Sequence, residues 1–393
     1  MDANPLNNPA SALVVGAGPV GALTAVSLAQ QGWQVTLLEK EPLASTVLPS
    51  SYDKRQLALT PQSVEWLTQD LGLTELLPKL TPITHIHTSS QGHYGSMLMT
   101  AQQQGVAALG YTISQHRLGE IIFAALAQTQ VQLVSGVELS RLTQTNTHVE
   151  LRGQLTQQKE NVQWHADWLF AADGAQSWVR NALGIAHKTT HYTHQLMTAI
   201  ATLAQPHQQG AVERFTASGP TAMLPLHDPY QVKLVYCYAT EEADSVRQFN
   251  HEQLVERVNA QLGHSLPQVL SVDEVFHYGL VEVKPDRIQQ GRVMLVGNAA
   301  HTQHPVAGQG LNLGIRDVQA VFSWARTASP AEWEILADKR LQDHRRIMRA
   351  THGLVSLFSH NQPLVRALAS AGLSVLNRLT PLKKRITRLA MGY

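Results

Sequence analysis

The chain has 393 residues, of which 44% are hydrophobic and 15% are charged. The length suggests two or three domains, and the hydrophobic content excludes a disordered chain. The one cysteine, Cys237, excludes a disulfide framework and a cysteine-based zinc site, and there is no apolar run of about 18 residues for a membrane-spanning helix.

The first residues lack the basic and apolar regions of a signal peptide, so we expect a cytoplasmic protein, either free or peripheral to the inner membrane. Histidines 187, 191 and 194 have helical spacing, but the threonine and tyrosine residues between them favour an extended chain. The sequence therefore predicts no metal site. The charge and the aromatic content of 6% predict no nucleic-acid partner.

The start of the chain predicts a strand–helix–strand unit. Residues 13–15 form a short β-type run, residues 19–31 form a helix of small apolar residues closed by Gly32, and residues 33–38 form a second strand. A βαβ unit within some thirty residues indicates a parallel sheet.

A glycine-rich turn joins the first predicted strand to the helix. Gly16, Gly18 and Gly21 match the pattern G-x-G-x-x-G, in which the glycines allow a tight turn, approach of a pyrophosphate and close packing of helix on strand. Pro19 fits the first helical turn, where free N–H groups bind phosphate. Glu39 ends the second strand, where an acid accepts hydrogen bonds from a ribose. The motif predicts a dinucleotide site but does not separate NAD from FAD.

The middle of the chain contains both helix-type and strand-type patterns. Residues 117–128 predict a helix, and residues 131–134, 148–152 and 164–171 predict strands. From residue 189 to about 241 the composition predicts a meandering antiparallel sheet, and residues 292–296 return to a buried strand followed by a helix from about Gly310.

This order predicts an α/β fold with a discontinuous Rossmann-like nucleotide domain and an inserted antiparallel-sheet domain. We assign residues 1–70, 112–180 and 285–345 to the nucleotide-binding domain, residues 71–111 and 181–284 to the substrate domain, and residues 346–393 to a helical tail.

The tail is basic. From His344 to Tyr393 there is no acidic residue but nine Lys or Arg residues, which leaves 21 basic against 29 acidic residues in the rest of the chain. Apolar positions at helical spacing in residues 354–382 predict an amphipathic helix. Such a segment binds an anionic membrane surface or an acidic partner, or it is a helix whose basic face is solvated.

Two later segments carry a family resemblance. Residues 172–180 read A-D-G-A-Q-S-W-V-R, and residues 296–301 read V-G-N-A-A-H, followed at 304–317 by H-P-V-A-G-Q-G-L-N-L-G-I-R-D. Together with the glycine turn, these segments resemble the flavoprotein aromatic hydroxylases of the p-hydroxybenzoate hydroxylase fold. The resemblance spans residues 12 to about 345.

Within that family the chain resembles the ubiquinone-biosynthesis branch. The segments R-Q-L-A-L at 55–59, E-R-F at 213–215 and G-P-T-A-M-L-P-L at 219–226 match strands of those hydroxylases. Most of the family has Asp after Gly297, whereas this chain has Asn298, whose amide oxygen can still accept a hydrogen bond. Gly-Asn at this place is typical of the 2-polyprenyl-6-methoxyphenol hydroxylases, which act on C1 of the ring.

The resemblance implies FAD as cofactor and NAD(P)H as co-substrate, with oxygen transferred to the phenol ring through a flavin C4a-hydroperoxide. It places His304 and Pro305 at the flavin face where oxygen adds. It implies that the following residues bind the cofactor: Gly16, Gly18, Pro19, Val20, Gly21, Glu39, Lys40, Arg55, Arg117, Asp173, Gly297, Asn298, Pro305, Gly308, Gly310, Leu311 and Asn312. N–H groups at the helix start near Gly308 and Gly310 would stabilise negative charge on the reduced flavin.

The implied function is hydroxylation of a polyprenylated methoxyphenol in ubiquinone biosynthesis, with the phenol and O2 as substrates. Two alternatives stay open. One is a sister hydroxylase of the same pathway acting at another ring carbon, and the other is a non-catalytic FAD-binding member of a biosynthetic complex. Other proteins of the pathway, or the membrane surface, are candidate partners of the basic tail. No residue of the sequence is singled out as the base for the phenolic proton.

Overall fold

The computed structural model describes residues 10–44, 47–216, 218–303, 308–358 and 363–393. The first ten strands are β1 (Ser11–Val15), β2 (Gln34–Glu39), β3 (Gln56–Leu59), β4 (Thr81–Ile83), β5 (His85–Ser90), β6 (Ser96–Thr100), β7 (Gly110–Ser114), β8 (Gln132–Ser135), β9 (Val137–Gln144) and β10 (Val149–Leu155). The later strands are β11 (Glu160–Ala166), β12 (Trp168–Ala171), β13 (His187–Leu203), β14 (Gly210–Thr216), β15 (Gly219–Pro225), β16 (Gln231–Ala239), β17 (Val269–Pro285), β18 (Gln289–Gln290) and β19 (Val293–Leu295).

The α-helices are α1 (Pro19–Gln30), α2 (Pro61–Gln69), α3 (Ala101–Gln104), α4 (Gln115–Ala127), α5 (Trp178–Ala182), α6 (Ala243–Gln248), α7 (His251–Leu262), α8 (Gln309–Trp324), α9 (Pro330–Phe358), α10 (Pro363–Arg378) and α11 (Thr380–Ala390). None of the helices in these described ranges is both long enough and apolar enough to cross a bilayer.

A six-stranded sheet forms the first layer, with the strand order β18-β19-β12-β1-β2-β8. The pairs β1–β2, β1–β12, β12–β19 and β2–β8 are all parallel. The carboxyl ends of parallel strands lie at the same edge of a sheet. The glycine turn after β1, Glu39 at the end of β2 and the Asp-Gly segment after β12 therefore meet there, although the chain separates them widely.

One predicted strand is two strands in the structure. We predicted a continuous strand over residues 164–171, but β11 ends at Ala166 and β12 begins at Trp168. Asp167 lies between them, and its carboxylate accepts hydrogen bonds from the backbone N–H and the hydroxyl of Ser11, both at 2.8 Å. The chain leaves the three-stranded sheet β9–β10–β11 at this residue and enters the parallel sheet beside β1.

A seven-stranded sheet forms the second layer, with the order β17-β13-β16-β15-β14-β5-β6. Its pairs are antiparallel except β14–β5, so the expected antiparallel sheet is confirmed with one parallel pairing. One face packs against α6 and α7, where Leu234, Tyr236 and Val258 are buried in one apolar cluster. The opposite face turns toward the first layer.

The three C-terminal helices continue from the nucleotide-binding part of the chain to the seven-stranded sheet. Ala369 and Leu373 of α10 share an apolar cluster with Met97 and Met99 of β6. The backbone N–H of Gly95 donates to Ser370 Oγ at 3.1 Å, and a Cβ at Gly95 would lie 1.8 Å from the Ser370 carbonyl oxygen. Part of the apolar face predicted for the tail is therefore packed against protein.

The predicted α/β fold class, with a nucleotide-binding sheet, an antiparallel sheet and a helical tail, is confirmed. The exact division into domains stays a prediction. The boundary proposed at residue 112 falls inside β7, and the boundary proposed at residue 345 falls inside the continuous helix α9.

Candidate active site

The glycine turn has the geometry that a bound pyrophosphate requires. Gly16 has φ +96°, and a Cβ there would lie 2.6 Å from the carbonyl oxygen of Ala172; a Cβ at Gly21 would lie 1.9 Å from the Gly16 carbonyl oxygen. A Cβ at Gly18 would meet only Ser51 Oγ, at 3.7 Å, so the backbone there borders open space. The first N–H groups of α1 lack intrahelical acceptors and are left for a ligand.

Glu39 is held at the end of β2 by backbone donors. One carboxylate oxygen accepts from the N–H of Ala17 at 2.6 Å, and the other accepts from the N–H of Glu41 at 2.9 Å. These bonds tie the glycine turn to the second strand. Each carboxylate oxygen has a further lone pair, so the group can still accept from a ribose hydroxyl.

Asp173 follows β12 and contacts the same space. Its Oδ2 accepts from the N–H of Val179 at 3.0 Å, whereas the buried Oδ1 has no hydrogen-bond partner in the described part of the chain. Burial raises the pKa of this carboxyl. A buried acceptor without a partner is costly, so a donor from a ligand hydroxyl is the natural partner of Oδ1.

The third motif is anchored to the second by Arg180. This buried guanidinium donates to the carbonyl oxygens of Ala299 at 3.0 Å and Ala175 at 2.7 Å. Gly297 has φ +58°, and its Cβ would lie 3.0 Å from Val20, so the turn packs directly on the start of α1. Asn298 extends from this turn with an exposed side chain.

A buried carboxylate beneath the third motif fixes it to α8 and α9. Asp317 Oδ2 accepts from the Gly297 N–H at 3.0 Å and lies 3.2 Å from His301 Nε2; Oδ1 accepts from Arg340 Nε at 2.8 Å and lies 2.7 Å from His344 Nε2. Although burial opposes ionisation, the His344 and Arg340 charges and these hydrogen bonds hold the pKa of Asp317 well below its usual range. Burial, reinforced by His344, lowers the pKa of His301 to about 4, so His301 is neutral.

These three residues, His301, Asp317 and His344, have metal-ligating atoms within 4.8 Å of one another. Both oxygens of Asp317 are already engaged by the backbone, the arginine and the two imidazoles. The cluster is therefore explained as a structural network without an ion.

The first turn of α8 is bound to β3 by one side chain. Asn312 Oδ1 accepts from the Thr60 N–H at 2.8 Å, and its Nδ2 donates to the carbonyl oxygens of Ala58 and Gly308, both at 2.9 Å. Its amide is thus used to position the helix start. Gly308 has φ +60° and a Cβ there would lie 2.9 Å from Ala58, whereas Gly310 borders open space.

A cavity of 850 Å³, here called the nucleotide cavity, brings most of the predicted residues together. Its lining includes Gly16, Gly18, Pro19, Val20, Glu39, Lys40, Arg55, Asp173, Asn298, Gly310 and Leu311. It also includes Ser50, Ser51 and Gln115, which the motifs did not indicate. These additions lie in loops and at helix starts between the motifs, where no spacing pattern marks them.

Several other predicted site residues do not line the nucleotide cavity, and Arg55 differs from Arg117 in this respect. Gly21 and Gly297 support the turns without lining the cavity, and Arg117 is exposed and pairs with Glu120 at 3.3 Å. Arg55 faces the cavity, where its guanidinium is held by Asp53 at 2.6 Å and lies 5.4 Å from the ring centre of Tyr278. The positions predicted for the oxygen site, His304 and Pro305, fall outside the described residues.

A second cavity, of 740 Å³, lies on the other side of the α8 start and is here called the apolar cavity. One wall of this cavity is the face of the seven-stranded sheet that does not pack against α6 and α7. Alternate residues of three strands point into the cavity: Ala211, Glu213 and Phe215 of β14, Ala222 and Leu224 of β15, and Lys233, Val235 and Cys237 of β16. Leu373 and Leu376 of α10 and Ile386 of α11 line the opposite side.

The two cavities meet at β3 and at the first turn of α8. Leu57 lines the nucleotide cavity and Ala58 the apolar one; Leu311 lines the first and Gly308 the second. A planar ring bound at the end of the nucleotide cavity would thus border the apolar cavity. An extended dinucleotide such as FAD fits the glycine turn after β1, the Asp173 Oδ1 that lacks a hydrogen-bond partner, and the volume of the cavity.

Comparison with known proteins decides the family. Residues 10–325 match the family described as FAD binding domain. The chain belongs to this family. It is 30% identical to the 3-demethoxyubiquinol 3-hydroxylase of Escherichia coli, over 98% of this chain and 99% of that protein, and 29% identical to the ubiquinone hydroxylase UbiL of Rhodospirillum rubrum, over 98% and 90%.

A solved structure, the p-nitrophenol 4-monooxygenase PnpA of Pseudomonas putida, has the same fold with a TM-score of 0.79, at 19% identity and with 98% of each chain covered. As a member of the FAD binding domain family with hydroxylases as its relatives, the chain is an FAD-dependent aromatic monooxygenase with NAD(P)H as co-substrate. The predicted family, cofactor and enzyme class are confirmed, and a catalytic role is favoured over a scaffold.

Proposed function

We propose that this enzyme hydroxylates the ring of a polyprenylated methoxyphenol in ubiquinone biosynthesis, converting 2-polyprenyl-6-methoxyphenol to the 1,4-benzoquinol. The observation that carries the proposal is the junction of the two cavities at the start of α8. A phenol ring held there would border the cofactor while its apolar chain extends between the sheet and the tail helices.

FAD bound in the nucleotide cavity would supply hydride acceptance from NAD(P)H and oxygen activation. The residues of the chain bind, orient and shield. The first turns of α1 and α8 direct backbone N–H groups toward the ligand, and Glu39, Asp173 and Asn298 offer acceptors. The apolar walls of the second cavity exclude water, which protects a reactive oxygen species from unproductive decay.

The volume of 740 Å³ and the apolar lining of this cavity support a polyprenyl substrate. Its wall runs from Leu59 of β3, past Met97 and Met99, to Leu376 and Ile386 of the tail helices. Burial of apolar surface contributes about 25 cal/mol per Å², so such a wall favours a long hydrocarbon chain over a small phenol.

A second candidate is hydroxylation at another ring carbon of a related intermediate. It is favoured by the similarity to a 3-demethoxyubiquinol 3-hydroxylase, which is as strong as that to UbiL. Asn298 in the turn of the third motif supports the first candidate instead.

Product analysis tests both. The purified holoenzyme is incubated with NADPH, O2 and either 2-geranyl-6-methoxyphenol or the corresponding demethoxyquinol, and the products are identified by mass spectrometry and NMR. We expect the 1,4-benzoquinol from the first compound. A product from the second alone would favour the sister reaction, and oxidation of NADPH without either product would contradict both.

For the outer side of the tail helices we propose an anionic lipid surface as the partner. Val375 of α10 is 55% exposed, Leu379 between α10 and α11 is 47% exposed, and Leu382 and Leu389 of α11 are 43% and 47% exposed. Exposed basic residues accompany them: Arg378, Lys384, Arg385 and Arg388. A polyprenylated substrate resides in lipid, so docking here would bring the apolar cavity to the bilayer.

Charge reversal tests this docking better than deletion, since deletion would also remove a wall of the cavity. The triple variant Lys384→Glu, Arg385→Glu, Arg388→Glu should lose sedimentation with phosphatidylglycerol vesicles, because each basic residue contributes about 1 kcal/mol at an anionic surface. FAD content and Arg141→Glu, an exposed change on β9, serve as controls. Unchanged vesicle binding of the triple variant would discard the proposal.

A further inference from the structure

Glu213 is an acidic side chain on the wall of an otherwise hydrocarbon-like cavity. It lies on β14 between Ala211 and Phe215 and faces the apolar cavity with them. Its backbone is paired with Ala222 on one side and Thr88 on the other, so neither neighbouring strand places a charged residue beside it. Its side chain is half-buried, and no hydrogen bond or ion pair to its carboxyl group is found among the described residues.

A carboxyl group in such a place needs a partner. Burial raises the pKa of Glu213 to about 7, since the surrounding apolar atoms cannot solvate the ionised form. A carboxyl group turned into an apolar cavity gains from a hydrogen-bond donor there, and titratable groups with shifted pKa values cluster at functional sites. The free carboxylate therefore points to a donor that arrives with the substrate.

The other charged groups around the cavity are few. Of the described lining residues, Glu213, Lys233 and Cys237 are the titratable ones, and the lining contributed by α8, α10 and α11 is uncharged. Burial, aided by Glu213, raises the pKa of the Cys237 thiol, so it stays neutral. Burial, with the charge of Arg55 nearby, lowers the pKa of Lys233 to about 8.

Lys233 is already engaged. Its Nζ donates to the carbonyl oxygen of Gln56 at 2.5 Å, which connects β16 of the sheet to the first residue of β3. No ion pair within 4 Å joins it to Glu213 in the described part of the chain, so the two side chains bound the cavity without neutralising each other. Lys233 is thus placed to stabilise negative charge, and Glu213 to accept a proton.

We propose that Glu213 is a catalytic residue that accepts the hydrogen bond, and then the proton, of the substrate's phenolic hydroxyl. This inference rests on the proposed function for the identity of the phenol. Glu213 faces the same cavity that Gly308 and Asn312 line at the α8 start, so a phenol bound in this cavity can present its hydroxyl to the carboxylate.

The proton balance is simple. The phenol O–H bond breaks, its electron pair stays on the oxygen and activates the ring carbon, and the proton passes to the carboxylate. One atom of O2 is added to that carbon, the carbon loses its proton, and the second oxygen atom leaves as water. The carbon's proton, the hydrogen of the hydride and one proton taken from solvent together supply the new hydroxyl and the water. The ring oxygen then regains its proton from the carboxylic acid, and the NAD(P)H hydride supplies both electrons.

The first test is the pH profile of kcat with the phenol that the holoenzyme turns over. For the parent enzyme we expect kcat to fall below about pH 7, because the carboxylate is then protonated and cannot accept. For Glu213→Gln, kcat should be lower by about 10²- to 10⁴-fold, and it should no longer fall below pH 7 (the acidic limb of the profile). The FAD spectrum of this variant should stay unchanged. Glu213→Asp should keep the limb at reduced rate.

The matched control is Glu256→Gln, the same change at an exposed carboxyl on α7, behind the sheet. It should match the parent at every pH. Parent-like kcat and pH profile in Glu213→Gln would overturn the proposal, because a residue that merely supports the sheet cannot create that limb.

An equilibrium measurement separates this inference from the proposed function. Binding of 2-geranyl-6-methoxyphenol and of its O-methyl ether, which has no proton to donate, is followed through the flavin absorbance. For the parent, the ratio of the dissociation constant of the ether to that of the phenol should be about tenfold larger at pH 8 than at pH 6, because a carboxylate accepts a stronger hydrogen bond than its acid. For Glu213→Gln this ratio should not change with pH.

These outcomes are independent of turnover. If the phenol binds with this pH dependence but no hydroxylated product forms, the proposed function fails and the role of Glu213 as the acceptor stands. If the parent binds the phenol and the ether with the same ratio at both pH values, Glu213 does not receive the hydroxyl and the inference is wrong.

Discussion

The nucleotide cavity and the apolar cavity share a wall but are built by different means. The first is formed by backbone turns at the carboxyl edge of a parallel sheet, with glycines where a Cβ would collide. The second is formed by alternate side chains of several strands and by two helices from the end of the chain. Backbone constraints tolerate almost no change, whereas a wall of side chains can be altered to change what it accepts.

A substitution that disrupts the nucleotide cavity should therefore have the largest effect on flavin binding and on the free energy of unfolding. In Gly21→Val the added Cβ would lie 1.9 Å from the Gly16 carbonyl oxygen, and a branched side chain cannot relieve this contact. We expect purified protein without flavin colour and a free energy of unfolding lower by about 4 kcal/mol or more. Flavin absorbance and urea unfolding measure the two effects.

Gly353→Ala is the control for this change. Gly353 lies within α9, and a Cβ there would meet nothing within 4 Å. This variant should stay yellow and gain up to about 1 kcal/mol, because alanine favours a helix over glycine. A yellow, stable Gly21→Val variant would show that the turn is not held by this contact.

The next largest effect concerns the support beneath the nucleotide cavity. Asp317→Asn removes the charge that Arg340 and His344 face, and it weakens the acceptor of the Gly297 N–H. Leaving buried charges without their partner costs about 3–5 kcal/mol, so the unfolding free energy should fall by that amount and the bound flavin should become easier to remove.

Asp338, an exposed carboxylate on α9, provides the control, since Asp338→Asn should change the unfolding midpoint little. If Asp317→Asn unfolded at the same urea concentration as the parent, the network would contribute nothing to stability.

The same contrast explains what could be predicted from the sequence. The glycine turn and Glu39 were predicted from the G-x-G-x-x-G motif in its strand–helix–strand setting, and Asp173 was implied by the family resemblance; parallel pairing brings these strand ends together. The family resemblance added the third motif and the cofactor. Asn312 was expected to contact the cofactor, but its side chain is used to join α8 to β3, which no local pattern indicates.

The apolar cavity could not be predicted in this way. Its lining comes from β3, β14, β15, β16 and the tail, and only the three-dimensional pairing of these elements shows that Glu213 and Lys233 share a space. A signal was present for Lys233, which is the single charged residue of β16, whereas Glu213 is followed by Arg214 on β14. The basic tail was interpreted from its charge, but its contact with β6 depends on the close approach at Gly95.

Adding side-chain volume to the wall of the apolar cavity should weaken the binding of long-chain substrates more than that of short-chain substrates. A Cβ at Gly372 of α10 would meet nothing within 4 Å, and this residue lines the cavity. Gly372→Leu should raise KM for a long-chain phenol by about tenfold and leave that for a short-chain phenol nearly unchanged, since a few methylene groups of chain space decide binding of that size. Flavin content should not change.

Steady-state kinetics with substrates of two chain lengths measure this split, and Gly353→Leu on α9 is the matched change outside the cavity. An equal rise of KM for both chain lengths would mean that the side chain disturbs the ring position, and no rise would remove α10 from the substrate wall.

The smallest expected effect distinguishes the two arginines predicted to approach FAD. Arg55 faces the nucleotide cavity and is oriented by Asp53, so Arg55→Ala should weaken FAD binding about tenfold through the loss of one charge-assisted hydrogen bond. Arg117 is exposed and pairs only with Glu120 among the described acids, and such surface pairs contribute about 0–1 kcal/mol. Arg117→Ala should therefore leave the FAD dissociation constant, measured by flavin fluorescence on reconstitution of the apoprotein, within about twofold of the parent value. An equal loss in both variants would mean that the side chain of Arg117 turns toward the cofactor on binding and joins Gln115, at the start of α4, in lining the nucleotide cavity.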